Sequence, residues 1–470
     1  MGKGKRGEEA GLAIITTHHR PRAERYAMGK ALRKKCPREA HSKWKAPRDR
    51  PDPVQVVLEA DKGRLPELLP LRHGRMVVSP FTFYRGAALN MAIDLASTPN
   101  TGVRVQCCGD AHLGNFRGFA TPERNVILAV NDLDETLPAP WEWDIKRLAT
   151  SLVIASRDNG LSESTAKVAV LTCMKSYREH MAEFSHMGSL ELWYLALEWE
   201  ATVASITDPA IRRRALRRLA KERETNIAED VFPKLAKISG GKHVIKEQSP
   251  TIFHMKWQRP GEISRRVLKT LSIYLESLAP ANRVLFDHYR IKDVAIKVVG
   301  VGSVGTRCWV VLFADGAGDP LFLQVKEARA SVLEAYAGRS VYANHGQRVV
   351  EGHRLMQPAS DIFLGWTEGK HGHHYYVRQL RDVKIKVSIE TLNKDEIAVF
   401  AGRCGQSLAI SHARSGDSCL ISGYLGKSDA FDEAIADFAV AYADQTEADY
   451  ALLEQAVHSG KVKTAMEESN

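Results

Sequence analysis

Residues 293–313 read DVAIKVVGVGSVGTRCWVVLF, two β-rich apolar runs on either side of a glycine loop. GVGSVG satisfies G-x-G-x-x-G through Gly300, Gly302 and Gly305. That pattern marks a dinucleotide-binding turn only where it opens a helix. Here a strand follows the glycines, so a dinucleotide fold is excluded. A second hairpin tip, ADGAGDP, leads into a third strand, LFLQVKEA, near whose end stands Lys326, 21 residues past Gly305.

The rest of the chain reads mostly as helix. VVSPFTFYRGAALNMAIDLAS predicts a helix over 80–97, and WEWDIKRLATSLVIASRDNG has helical apolar spacing with a glycine stop. Helix is expected from there to about 288, again over 328–357, and through the last hundred residues. RVQCCGD and NVILAVNDLDE read as strands, and DIFLGWTEGKHGHHYYVRQL as a hairpin. The class is therefore mixed α+β.

Composition excludes several roles. No run of 18 apolar residues is present, so no transmembrane helix and no membrane role are expected, and MGKGKRGEEA lacks the apolar core of a secretion signal. A cytoplasmic location follows as the expectation. The seven cysteines are scattered without a CxxC pair, against both a disulfide framework and a zinc module. Residues 1–52 hold 15 Lys/Arg against 6 Asp/Glu, nearly the whole net charge of +10. Over residues 1–70 this composition predicts a disordered basic arm, able to dock on nucleic acid or an acidic partner, or simply solvated. RRRALRRLAKERE reads as a solvated helix face, HGHH at 371–374 as a solvated turn, Arg85 as a surface or ion-paired arginine, and His412 as a packed helix residue.

In CCGDAHLGNF, Asp110 and Asn115 stand five apart, and Asp132 follows Asn115 by 17 residues at a strand end. That is the D-x-x-x-x-N spacing of a kinase catalytic loop, in which a carboxylate meets the acceptor hydroxyl and an amide oxygen meets Mg²⁺. Strand, glycine loop, strand and then a strand lysine is likewise the kinase arrangement for covering and gripping ATP phosphates. CGDAHLGN, NDLDE and PWEWDIKRLA resemble the HGDLHPGN, IDFDD and P-x-x-DLA motifs of aminoglycoside- and choline-kinase-like phosphotransferases. The resemblance implies ATP and Mg²⁺ as cofactors, Asp110 as catalytic base, and Asn115 and Asp132 as metal ligands. His112, Asp134 and Asp144 would support them, Asp144 by bracing the loop. Gly300, Gly302, Ser303 and Gly305 would cover the phosphates. Lys326 would grip them, held by a carboxylate of the next helix, Glu351 in preference to Glu334. The backbone of Gln379, Leu380 and Arg381 would face the adenine.

The order is permuted relative to a kinase, since the glycine loop and lysine follow the catalytic loop by nearly 200 residues. GQSLAISHA at 405–413 resembles the helix that normally precedes that loop. The expected architecture is a protein-kinase-like two-lobe fold in circularly permuted order. Its parts would be the arm over 1–70, a helical large-lobe region with the catalytic and metal loops over 71–288, a β-rich small lobe over 289–385, and a returning helical region over 386–470. The activity implied is transfer of phosphate from ATP to a hydroxyl of an unidentified acceptor, a small molecule fitting the resemblance best and protein or RNA acceptors staying open. AMP transfer on the same fold and a nucleotide-binding pseudokinase are the alternatives. SPFTFYRGAA, GDAHLGNF, NDLDETLPAPWEWDIKRLA, KVVGVGSVGTRC and LQVKEA also resemble a bacterial family catalogued only as a domain of unknown function.

Overall fold

The computed structural model describes residues 19–206, 208–224, 227–254, 265–380 and 384–465. The glycine-loop region builds the largest sheet. Its six strands are antiparallel, in the order Gly365–Glu368, His374–Gln379, Pro320–Ala328, Cys308–Ala314, Arg290–Lys297 and Ile252–Phe253. Alternation along Pro320–Ala328 assigns the two faces. Leu321 and Leu323 pack with Val311, Phe313 and Val377 beneath Tyr274, Leu278 and Phe286 from the helical segment 265–286. On the other face Phe322 joins Ala295, Val310, Leu312 and Leu380, and this patch is covered by Val231, Leu235, Ala236, Ile245 and Ile252. Gln324 and Lys326 continue that second face, both buried.

The helical part of the molecule packs around Glu142–Asp158, which is buried along almost its entire length. Glu163–Phe184 and Lys394–Ser415 lie close together, and a Cβ on Gly405 would stand 2.2 Å from the Cys173 carbonyl oxygen. Two small sheets hold the motif loops: Arg104–Cys107 pairs with Leu137–Pro140, and Phe116–Ala120 lies between Lys384–Ile385 and Val126–Val130. All seven cysteines are free and buried. No helix among the described residues is long and apolar enough to cross a membrane.

Several expected elements differ. The helix expected over 80–97 divides into Pro80–Gly86 and Ala88–Leu95, with Ala87 at φ −108° and ψ 37° between them. The helix expected over 328–357 is Glu334–Ala337 and His345–Met356, separated by an irregular stretch that starts at Gly338, φ 94°. Within the region expected to be helical to 288, Ala236–Ser239 and Lys242–Ile245 form a hairpin. Its two-residue tip, Gly240 and Gly241, has positive φ at both positions (55° and 73°), which glycine adopts without a Cβ clash.

The disorder expected over 1–70 gives way to structure from residue 19 onward; residues 1–18 lie outside the described residues. The charges that suggested disorder find partners on the C-terminal helices and on the helix Ala88–Leu95. Arg25 meets Asp417 at 2.9 Å, Arg33 donates to the carbonyls of Gly423 and Tyr424, and Arg50 bridges Asp94 and Asp449. Glycines let the helices Arg22–Leu32 and Ser418–Leu425 touch backbone to backbone: a Cβ on Gly29 would lie 2.0 Å from the Leu420 carbonyl oxygen, and one on Gly423 2.1 Å from that of Tyr26. Gly423→Ala should therefore force this helix pair apart, costing about 1–3 kcal/mol as overpacking does. Urea denaturation reads the loss, and protease cleavage within 22–50 should accelerate.

Candidate active site

The strand Arg104–Cys107 ends at Gly109, whose φ of 77° turns the chain into the motif loop. A Cβ there would also lie 2.4 Å from the Glu135 carbonyl oxygen, so glycine is required on both counts. The loop is held from beneath by Asp144, in the first turn of Glu142–Asp158. Asp144 accepts hydrogen bonds from the amides of Cys108 (2.6 Å) and Gly109 (2.9 Å), and His412 Nε2 lies 3.3 Å from the same carboxylate. Tyr177 OH lies 2.9 Å from His412 Nδ1, which continues this buried chain of polar contacts. Cys107, Asp144 and His412 cluster closely enough to resemble a metal site, but each already has protein partners.

Asp110 follows the turn and accepts from Arg147 Nε at 2.6 Å, while His112 Nε2 stands 3.8 Å from its other oxygen. Burial raises the Asp110 carboxyl to about 6, against the opposing pull of Arg147. Burial, then the neighbouring Arg85, holds His112 neutral, well below the usual histidine value. Asn115 ties the two motif loops together. Its Oδ1 accepts from the Asp132 amide at 2.7 Å, and its Nδ2 donates to the carbonyls of Asp132 (2.7 Å) and Asp110 (3.1 Å). A second lone pair of Oδ1 remains for a ligand.

Lys326 reaches this cluster from the sheet. Its Nζ lies 3.2 Å from Asp132 Oδ1 and forms a second ion pair with Asp134; these carboxylates are 194 and 192 residues away in sequence. Burial alone would strip the lysine's charge, but Asp132 and then Asp134 hold the ammonium well above its ordinary value. Asp132 is lowered in turn, Lys326 and the nearby Arg378 and Arg117 outweighing its desolvation. Ser303 of the glycine loop donates to Asp134 at 3.2 Å. The loop itself is pinned: Leu65 N donates to Gly305 O and Arg64 Nη1 to Val304 O, both at 2.7 Å, and Gly302 rests against the Arg85 carbonyl.

A cavity of about 420 Å³ is lined by Asp110, His112, Asn115, Asp132 and Asp134 together with Gly300, Gly302 and Ser303. Other expected residues lie elsewhere. Glu351 pairs with Arg354 at 2.9 Å and lines a separate large cavity, and Glu334 faces His345 and Arg348, so neither holds Lys326. The reason is that the two aspartates already satisfy the lysine, and the helix His345–Met356 turns Arg348 inward instead. That buried guanidinium donates to the carbonyls of Asp134 (2.7 Å) and Arg329 (2.8 Å), stapling the acidic loop to the sheet. Nothing in the local sequence distinguishes Arg348 from the other cations of its helix.

The amides of Gln379 and Leu380 do not open onto the cavity either. Gln379 N donates to Asp361, and Leu380 N to Phe322 O at 2.9 Å, so the sheet and its neighbouring loop consume the donors expected to face a base. Arg381 lies outside the described residues.

A cleft between an antiparallel sheet and a helical body, with acidic loops on one side and a lysine and glycine loop on the other, defines a mixed α+β protein with a polar active-site-like pocket. The chain belongs to the bacterial family described as "Uncharacterized protein conserved in bacteria (DUF2252)", whose model matches residues 64–456. No curated protein and no solved structure is significantly similar to it.

Asp144→Ala should leave two buried amides without acceptors and cost about 3 kcal/mol. Asp144→Asn, which keeps one acceptor oxygen, should lose less. Urea unfolding of the two variants side by side checks the order.

Proposed function

We propose that this protein is an ATP- and Mg²⁺-dependent phosphotransferase with a kinase-like fold in permuted order. The observation that carries the reading is the meeting of Lys326 with Asp132 and Asp134 beside the Asp110–Asn115 loop. Supporting it, the glycine loop lies between the first two of three successive strands, and the lysine lies on the third, as in the kinase small lobe.

The residues present fit a hard divalent cation. Asp134 Oδ1 is buried without a hydrogen-bond partner among the described residues, and the carboxylate of Asp132 and a lone pair of Asn115 Oδ1 are adjacent. Asn115, Asp132 and Asp134 would hold Mg²⁺, which supplies charge neutralisation at the phosphates. Lys326 would exchange its aspartates for phosphate oxygens, and the amides around Gly302 and Ser303 would cover them. In the reaction, the acceptor hydroxyl oxygen bonds to the γ-phosphorus while the β–γ bridging P–O bond breaks. ADP leaves with that electron pair, and the hydroxyl proton passes to Asp110. A carboxyl raised to about 6 is ionised at neutral pH yet basic enough for this task. Asp144 acts indirectly, by fixing the loop that carries Asp110.

Mg·ATP should raise the melting temperature of the wild type, and Asp132→Ala should abolish the gain. Asp110→Asn should retain that gain but lose turnover by about 10²–10⁴-fold. Transfer of label from γ-labelled but not α-labelled ATP is the expected outcome; label moving only from the α-position would replace the reading with AMP transfer. Absence of any Mg·ATP-dependent shift in the wild type would overturn it.

A further inference from the structure

The cavity that holds Asp110 and Asp132 also holds more positive charge than its carboxylates absorb by contact. Arg64, Arg72 and Arg329 line it, but each is committed. Arg64 donates to Ala60 and Val304 carbonyls, Arg72 pairs with Asp61 at 2.8 Å, and Arg329 donates to the Ala60 and Lys62 carbonyls. Arg147 and Lys326 are paired with Asp110 and with Asp132 and Asp134. Arg85 and Arg117 differ. Among the described residues Arg85 makes no side-chain hydrogen bond or ion pair, and its Nε is shielded from solvent without a partner. Arg117 donates from Nε to the Gly114 carbonyl at 3.1 Å and, among the described residues, has no carboxylate within ion-pair distance.

Both arginines are half-buried and line the cavity, with only Arg85 Nε shielded from solvent, so their free donors face a space in which an anion can replace water. Asp110, Glu390 and Asp132 stabilise Arg85 only through space, and Arg75 opposes them. The whole fork of Arg85 and the two Nη groups of Arg117, in one polar cavity, match a phosphate or carboxylate.

They stand on other elements than the lysine. Arg85 ends the helix Pro80–Gly86, whose Phe81 packs edge-on to His112 at 6.3 Å. Its strongest electrostatic neighbour is Asp110, and Arg85 is in turn the strongest charged neighbour of His112. Arg117 leaves the same motif loop on the strand Phe116–Ala120. Arg85 therefore flanks Asp110, and Arg117 is within electrostatic reach of Asp132 first and of Arg85 next, whereas Lys326 reaches Asp132 from the sheet.

We infer that Arg85 and Arg117 form an anion subsite beside Asp110, and that the acceptor is a hydroxyl compound carrying its own phosphate or carboxylate. This rests on the phosphotransferase reading and narrows it: uncharged or cationic alcohols are disfavoured acceptors, and the anionic group fixes which hydroxyl reaches Asp110.

Isothermal titration of inorganic phosphate into the full chain tests this, with the protein saturated by Mg²⁺ and the non-hydrolysable β,γ-imido analogue of ATP so that the terminal-phosphate position is filled. The loaded wild type should bind phosphate. Arg85→Gln and Arg117→Gln should each weaken that binding about tenfold or more, with the affinity for the analogue changed less than about threefold. Arg85→Lys, which keeps the charge, should retain part of the affinity and serves if the glutamine variant does not fold. Phosphate that competes with the analogue, or variants that lose the analogue instead of phosphate, would assign the arginines to the nucleotide and overturn the inference. Loaded wild type that binds no phosphate overturns it too. Wild type that fails to bind the analogue at all defeats the phosphotransferase reading itself and removes the acceptor assignment with it.

Discussion

The ammonium of Lys326 lies inside the protein, and it stays charged only because Asp132 and Asp134 meet it there. Burying the ammonium is unfavourable unless carboxylates meet it with good geometry, and here the two aspartates do so while staying partly open to the cavity. The rest of the architecture supplies that geometry. The sheet delivers the lysine on its polar face, Arg348 staples the acidic loop to the sheet, and Asn115 joins that loop to the one carrying Asp110. Removing any one of these tethers would leave carboxylates or a cation facing a low-dielectric pocket without a counter-charge.

A second set of contacts keeps the pocket closed. The loops and helices between residues 53 and 86 reach the glycine loop through Leu65, Arg64 and Arg75, and Val301 and Val304 are buried among apolar residues of the same segment. That segment is packed against the helix Ala430–His458, so two stretches far apart in sequence jointly hold the glycine loop at the cavity. A strand–loop–strand flap that would be mobile in isolation is thus built into a core.

Much of the site was legible because its motifs are local. The Asp110-to-Asn115 spacing, Gly109 before it, and the strand that ends at Asp132 all describe short stretches whose geometry is set within a few residues. Asp144 was legible for the same reason, as the first-turn carboxylate of a helix that follows its loop directly. The Gly240–Gly241 hairpin carried a readable turn signal that the surrounding helical pattern masked. Glu351 could not be excluded from sequence, since a helix exposes several carboxylates and only packing decides which face turns inward. The same limit hid Arg348. The arm from residue 19 onward looked disordered because its cations seemed excessive, although their partners, Asp94, Asp417 and Asp449, lie far along the chain.

By itself, the sequence determined the glycine loop between strands, the lysine on the strand that follows, and the acidic motif loops, because turn chemistry and strand alternation act over neighbouring residues. Only the tertiary structure decided which charges meet. It brought Lys326 to aspartates nearly 200 positions earlier, turned Glu351 away, consumed the amides of Gln379 and Leu380, and left Arg85 and Arg117 without carboxylate partners among the described residues. The physical reason is that burial makes a charge depend on its nearest partner in space, and those partners are set by how the sheet and helices close on each other.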